Sequence, residues 1–193
     1  MSNVRPRRDT LSIDVAFSPM LASAQSGSGA AFEDLYRLLA PAVAGYFRVQ
    51  GARDVEDLTS EVFLGVFRNI RTFSGSQEDF RTWVFSVAHR RLIDERRRIG
   101  RRPVVVEAYG DEPEGATSDA AEQALALMSS QRVERLCAAL APAQRDVLLL
   151  RLLCDLTIEQ VAVLLGKSIG STKALQRRGL HAVHRNLERW VSL

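Results

Sequence analysis

Cysteine is nearly absent: Cys137 and Cys154 are the only two, with no Cys-x-x-Cys and no histidine at ligand spacing beside them. That excludes a disulfide scaffold and a zinc module, and both cysteines read as small buried side chains in helices. No apolar run reaches the roughly 20 residues needed to cross a bilayer. The first 25 residues carry basic charge at Arg5, Arg7 and Arg8, but Asp14 and Pro19 interrupt the continuous apolar core a signal peptide requires. Neither secretion nor membrane insertion is expected, and the cytoplasm is the expected compartment. No sensor motif or cofactor-binding motif is present, so no enzymatic activity, cofactor or metal is expected. From Pro103 to Met128 there is no lysine or arginine at all, while Glu107, Asp111, Glu112, Glu114, Asp119 and Glu122 accumulate.

The positive charge is instead concentrated in two islands. Residues 80–102, FRTWVFSVAHRRLIDERRRIGRR, hold eight arginines against Asp94 and Glu95, a local balance of +6 in a chain whose total is +3. Residues 165–193 carry Lys167, Lys173, Arg177, Arg178, Arg185 and Arg189 against Glu188, a second island of +5. Two islands separated by an acidic stretch suggest two contacts with one polyanion. In the first island Phe80, Val84, Val87, Ala88 and Leu92 recur at helical spacing, which buries one side. Trp83, Ser86, Arg90 and Arg97 share another side, offering an aromatic edge together with guanidinium groups. That pairing suits opened nucleic acid, where bases stack on rings and phosphates meet arginines. A core helix with a solvated basic end is the plainer alternative.

In chain order, residues 1–29 end in Ser-Gly-Ser-Gly and read as a disordered N-terminal arm. A helical stripe of Phe32, Leu35, Tyr36, Leu38 and Leu39 follows, with Pro41 expected to break or kink it and Gly51 to stop it. Asp54 is expected to cap the next helix, with Glu56 and Asp57 in its first turn. Asp57 and Glu61, four residues apart, present two carboxylates on one side, either as a solvated face or as a dock for a basic partner. A metal site there would need a third ligand that the sequence does not supply. Phe73 lies in a polar loop, either tucked into the core or walling a pocket. Pro103, Gly110, Pro113 and Gly115 mark a flexible acidic linker at 103–117.

Beyond it, a helix is expected from about 119 to 140, and another from Ala143 to Cys154. Thr157 and Gln160 form a capping box, Val161, Leu164 and Leu165 a buried stripe, and Gly166 a tight turn, before Ser168 caps a basic helix. A short helix, a glycine-containing turn and a basic helix is the helix-turn-helix arrangement, whose second helix enters the major groove. The expected fold is therefore all-α, with two small helical domains, at 30–102 and 118–193, joined by the linker.

With these segments in place the chain resembles a bacterial RNA polymerase sigma factor of the extracytoplasmic-function (ECF) class. The residues that carry the resemblance are DVEDLTSEVFLGVF (54–67), FRTWVFSVAHRRLIDERRR (80–98) and LTIEQVAVLLGKSIGSTKALQRR (156–178). The resemblance implies partners: core RNA polymerase through its β′ and β subunits, promoter DNA, and an anti-sigma factor. It makes Asp54, Asp57 and Glu61 the face for the clamp helices of the largest polymerase subunit. It makes the 80–98 helix, with the 70–79 loop, the reader of the −10 element, where one base is flipped out of the stack: Ile70, Phe73, Val87 and Arg90 match positions lining that pocket, and Trp83 and Arg97 join them from the aromatic-and-arginine face read above. Ser168, Ser171, Thr172, Lys173, Arg177 and Arg178 become the face that reads the −35 element. Arg90 stands where family members often have Asn, and Thr172, Ala174 and Leu175 where Val, Ser and Arg are frequent, so neither the flipped base nor the −35 sequence carries over. The competing reading is a stand-alone helix-turn-helix regulator, which would need a ligand pocket in its first domain rather than an acidic docking face.

Overall fold

The structure, a computed structural model, describes residues 10–100 and 135–191. Among them every regular element is helical: α1 (Thr10–Gln25), α2 (Gly29–Val49), α3 (Val55–Asn69), a single 3-10 turn (Ile70–Thr72) and α4 (Gln77–Gly100) in the first domain. After a helical segment at 135–138 come α5 (Pro142–Leu152), α6 (Ile158–Leu164) and α7 (Ile169–Val191) in the second. The linker at 103–117 and most of the helix expected at 119–140 lie outside the described residues, as do residues 1–9. No helix among the described residues is long and apolar enough to cross a membrane.

The expected disordered arm is, from Thr10 onward, a helix. Phe17, Leu21 and Ala24 are buried, and their spacing of four and three residues places them on one side of α1. Pro19 is exposed, and α1 runs through it. The Ser-Gly-Ser-Gly stretch is a turn between two helices: the Ser28 hydroxyl caps α2 by accepting from the Ala31 amide at 3.4 Å.

Pro41 likewise does not break α2, which runs through it to Val49. It too is exposed, and the buried residues Leu35, Leu39, Val43, Tyr46 and Phe47 run past it on the other side. Asp54 occupies the cap position of α3, but its side chain makes no capping hydrogen bond. Leu58, Val62, Phe63 and Val66 of α3 are buried, together with Phe80, Val84, Phe85, Ala88 and Leu92 of α4. Each such side chain contributes roughly 1.5–3 kcal/mol relative to exposure, which is what holds three long helices around one core.

In the second domain Pro142 sits at the start of α5, where its missing amide hydrogen would be unpaired in any case. Cys137 falls in the 135–138 segment. Cys154 lies past the end of α5 rather than in a helix; it is buried and free, and burial raises its thiol pKa. Gly166 adopts φ +62°, the left-handed conformation that lets the chain turn sharply from α6 into α7.

The two domains touch. Gln50, buried at the end of α2, donates to the Asp146 carboxylate at 2.6 Å, and Arg81 pairs with Asp155 at 3.1 Å. On the same side of α4, His89 Nδ1 and the Tyr46 hydroxyl are 2.9 Å apart, and Arg96 donates to the Gln50 carbonyl at 3.0 Å and to its Oε1 at 2.8 Å.

Candidate nucleic-acid interface

Where α3 ends, Asn69 turns its amide back onto the Gly65 carbonyl at 2.8 Å. The chain then makes one 3-10 turn, closed by the Phe73 amide on the Ile70 carbonyl at 3.1 Å. Phe73 leaves this turn in an extended conformation. Its ring lies nearly parallel to Trp83 of α4, with centroids 5.2 Å apart and planes 13° apart, and edge-on to Phe80 at 5.3 Å.

Gly75 makes the return to α4 possible. At φ +154°, a Cβ there would come within 2.9 Å of Asp79 Cβ and 3.2 Å of the Phe73 ring, so a side chain would push the ring off its stack. Ser76 and Asp79 then cap α4 reciprocally: the Asp79 carboxylate accepts from the Ser76 amide at 3.0 Å and hydroxyl at 2.8 Å, and the Ser76 hydroxyl accepts from the Asp79 amide at 3.1 Å. Those bonds to the charged form hold the Asp79 carboxyl below the usual range.

Between the turn, α3 and α4 opens a cavity of about 680 Å³, lined by Gly65, Asn69, Thr72, Phe73, Ser74, Trp83, Val87, Arg90, Arg91 and Asp94. Phe73, Trp83, Val87 and Arg90, all expected at the −10 reader, thus meet in one pocket. Two residues of the expected set do not. Ile70 is only 1% exposed and belongs to the core beneath the turn. Arg97 lies seven residues past Arg90, about 10 Å along the helix axis, and pairs with Asp94 at 3.7 Å on the open surface.

Trp83 is half-buried, so it forms part of the wall rather than a free stacking platform. Sequence reasoning missed Asn69, Thr72, Ser74, Arg91 and Asp94. Arg91 and Asp94 belong to the arginine-rich stretch already singled out; Asn69 closes α3, and Thr72 and Ser74 come from a loop without periodicity.

Asp54, Asp57 and Glu61 are all exposed on or beside α3, with Leu64 following on the same helix at 54% exposure. Glu61 pairs with Arg91 across the α3–α4 groove at 3.5 Å. An exposed pair of this kind contributes at most about 1 kcal/mol, so it orients Glu61 more than it stabilises the domain. A carboxylate row with an apolar neighbour fits a basic helical partner.

In the second domain the capping box at α6 is present, with the Thr157 amide donating to Gln160 Oε1 at 2.7 Å and the Gln160 amide to the Thr157 hydroxyl at 3.2 Å. The Ser168 hydroxyl accepts from the Ser171 amide at 3.2 Å, which occupies one of the free donors at the start of α7. Lys173, Arg177 and Arg178 are exposed, as is Ser171. Thr172 is not: it is fully buried and its hydroxyl donates to the Ser168 carbonyl at 2.9 Å. It faces α5 and α6, which rules it out of the outward face on which it was expected. Gly179 is buried on the same inner side, where a Cβ would meet Leu148 at 2.9 Å. His181 is exposed one turn beyond Arg177 and joins the outer face; no motif pointed to it.

A helical domain with an arginine-and-aromatic pocket, in contact with a second that carries a capped helix-turn-helix, defines a DNA-binding protein of two parts. The Sigma-70 region 2 family matches residues 31–102, and the Sigma-70, region 4 family matches residues 130–182. The chain is 32% identical over 129 residues to the ECF RNA polymerase sigma factor ShbA of Streptomyces griseus, covering 65% of this chain and 68% of that one. It is also 32% identical over 172 residues to the ECF RNA polymerase sigma factor BldN of Streptomyces coelicolor, covering 85% of this chain and spanning 63% of BldN. Among solved structures, CnrH in complex with the cytosolic domain of CnrY superposes with a TM-score of 0.64 at 22% identity, covering 88% of this chain and 96% of CnrH; that likeness bears on the fold alone. The chain belongs to the ECF family of RNA polymerase sigma factors. It is a transcription initiation factor.

Proposed function

We propose that this sigma factor joins core RNA polymerase through the Asp54, Asp57 and Glu61 face, with the β′ clamp helices as the main dock and β as a further contact. It directs the enzyme to promoters whose −35 element meets Ser171, Lys173, Arg177 and Arg178 on α7, with Ser168 capping that helix. Phe73, Trp83, Val87 and Arg90 receive one unstacked base of the −10 strand. The observation that carries this reading is the pocket itself: two stacked rings and the exposed Arg90 around an open cavity large enough for a nucleobase. A base that enters gains stacking worth roughly 1–3 kcal/mol, available only after the duplex opens. Binding energy therefore favours the melted state over the closed one.

The protein performs no covalent chemistry of its own, and it acts in the cytoplasm. An anti-sigma factor, which membership of this family implies as a partner, belongs to the same reading. Run-off transcription with purified core polymerase on genomic fragments tests the proposal. Discrete transcripts that require both proteins are expected. Tight binding of the isolated chain to duplex DNA without any polymerase-dependent transcript would instead indicate a stand-alone regulator.

A further inference from the structure

Gln25 is the last residue of α1, and its side chain reaches across to the pocket-forming turn. Its Nε2 donates to the Ile70 carbonyl at 3.0 Å and to the Phe73 carbonyl at 2.7 Å. Both amide hydrogens are thereby committed to the two ends of one turn. Few other polar bonds hold that turn in place: within it the Phe73 amide bonds Ile70, and Thr72 donates to the Asn69 carbonyl at 2.8 Å, but these shape the turn without fixing where it sits on α4. The helix that carries Gln25 at its end is itself anchored: Phe17 packs on Phe80 with ring centroids 5.5 Å apart, and Leu21 and Ala24 are buried between there and Gln25. Phe80 in turn contacts both Phe73 and Trp83.

We infer that Gln25 is a positioning residue for the −10 pocket: its amide clamps the 70–73 turn so that Phe73 stays stacked on Trp83 and the pocket stands open before DNA arrives. The inference rests on the reading of that pocket as the site of an unstacked base. It gives the N-terminal helix a part in strand opening without any contact to DNA. Pre-forming the wall matters because a base entering a collapsed loop would have to spend stacking energy on ordering it.

The test uses the full chain in holoenzyme. Gln25→Met keeps size and loses both donors; Gln25→Glu adds an acceptor facing two carbonyls; Gln25→Lys restores donors on a flexible stem. Opening is read as permanganate reactivity of −10 thymines, on duplex and on pre-melted promoter, with Phe73→Ala as the reference.

Loss of two neutral hydrogen bonds predicts opening reduced by about fivefold to 150-fold for Gln25→Met, more for Gln25→Glu, and near wild-type for Gln25→Lys. Affinity for −35 DNA should be unchanged in all three. In the free full-length protein, a Trp190→Phe background leaves Trp83 as the only tryptophan of the chain, and its acrylamide quenching should rise in the Met and Glu variants as Phe73 leaves it. Normal opening in both variants alongside a defective Phe73→Ala overturns the inference. Normal opening in Phe73→Ala removes the pocket reading, and the inference with it. If the variants melt early, quenching measured well below their melting points decides, and unchanged quenching counts against the clamp.

Discussion

The two domains present their proposed nucleic-acid surfaces in different ways. In the second domain the surface is the outer side of one helix: once Ser168 caps α7 and Thr172 and Gly179 turn inward, helical geometry alone places Lys173, Arg177, Arg178 and His181 outward. In the first domain the surface is a cavity to which α3, a 3-10 turn and α4 each contribute a wall, with α1 behind the turn. A one-helix surface should lose function contact by contact. A multi-element pocket should fail when any wall moves, including walls that never meet DNA.

The largest effect should come from the pocket. Phe73→Ala is expected to reduce strand opening by about 5-fold to 150-fold, the equivalent of one lost stack, while −35 binding is kept; permanganate footprints on duplex promoters measure it. Trp83→Ala should add a fall in melting temperature, because Trp83 also packs on Phe80 at 5.7 Å. Equal defects on duplex and pre-melted templates would mean that Trp83 acts only through packing.

Next in size is the acidic face. Reversing Asp57 and Glu61 to Arg should weaken co-purification with core polymerase by about tenfold through like-charge repulsion, with little change in melting temperature, since both residues are exposed. Unchanged association would move the dock elsewhere.

The recognition helix should show the graded, separable behaviour. Lys173→Ala is expected to shift the preferred −35 bases by about 1 kcal/mol, the lower end for a base contact. Arg178→Ala should instead lower all promoters alike and reduce the salt slope by about one unit. Transcription from a library randomised over the −35 element, at two salt concentrations, separates the two. The reverse pattern would mean that α7 is rotated in the groove.

The smallest effect concerns the contact between the domains. Burial lowers the His89 pKa from its ordinary value of about 6.5, as does Arg96 nearby, while Asp146 acts in the opposite direction. The folded state therefore holds neutral imidazole, and the unfolded chain binds the proton more readily. Stability from this group is complete above about pH 6.5 and declines as pH falls toward the lowered value. A fall in melting temperature between pH 7.5 and 5.5 is expected, and His89→Gln should reduce it. Asp79, whose pKa is also lowered, loses its contribution only at more acid pH, below the ordinary carboxylate range, so it does not confound that window.

Much of this was legible in the chain itself. The three-and-four spacing of apolar residues located α2, α3 and α4, because burying one side of a helix imposes that period on any sequence. The pair Thr157 and Gln160, then Gly166 and Ser168, marked the helix-turn-helix through bonds made within a few residues. The N-terminal helix was harder to see, since Asp14, Pro19 and the Ser-Gly-Ser-Gly turn carry the composition of an arm. Only packing against Phe80 shows that Phe17, Leu21 and Ala24 form a stripe.

What the sequence determined by itself is what local physics controls: helical content, the cap and turn of the second domain, and the two islands of positive charge. The tertiary structure alone decided which residues of each helix share a pocket, that Thr172 faces inward, that Glu61 meets Arg91, and that Gln25 reaches a turn 45 residues away. Periodicity gives the side of a helix that is buried, but not what it is buried against. Contacts between distant segments depend on how those sides pair, and that pairing is settled by the packing of the whole core.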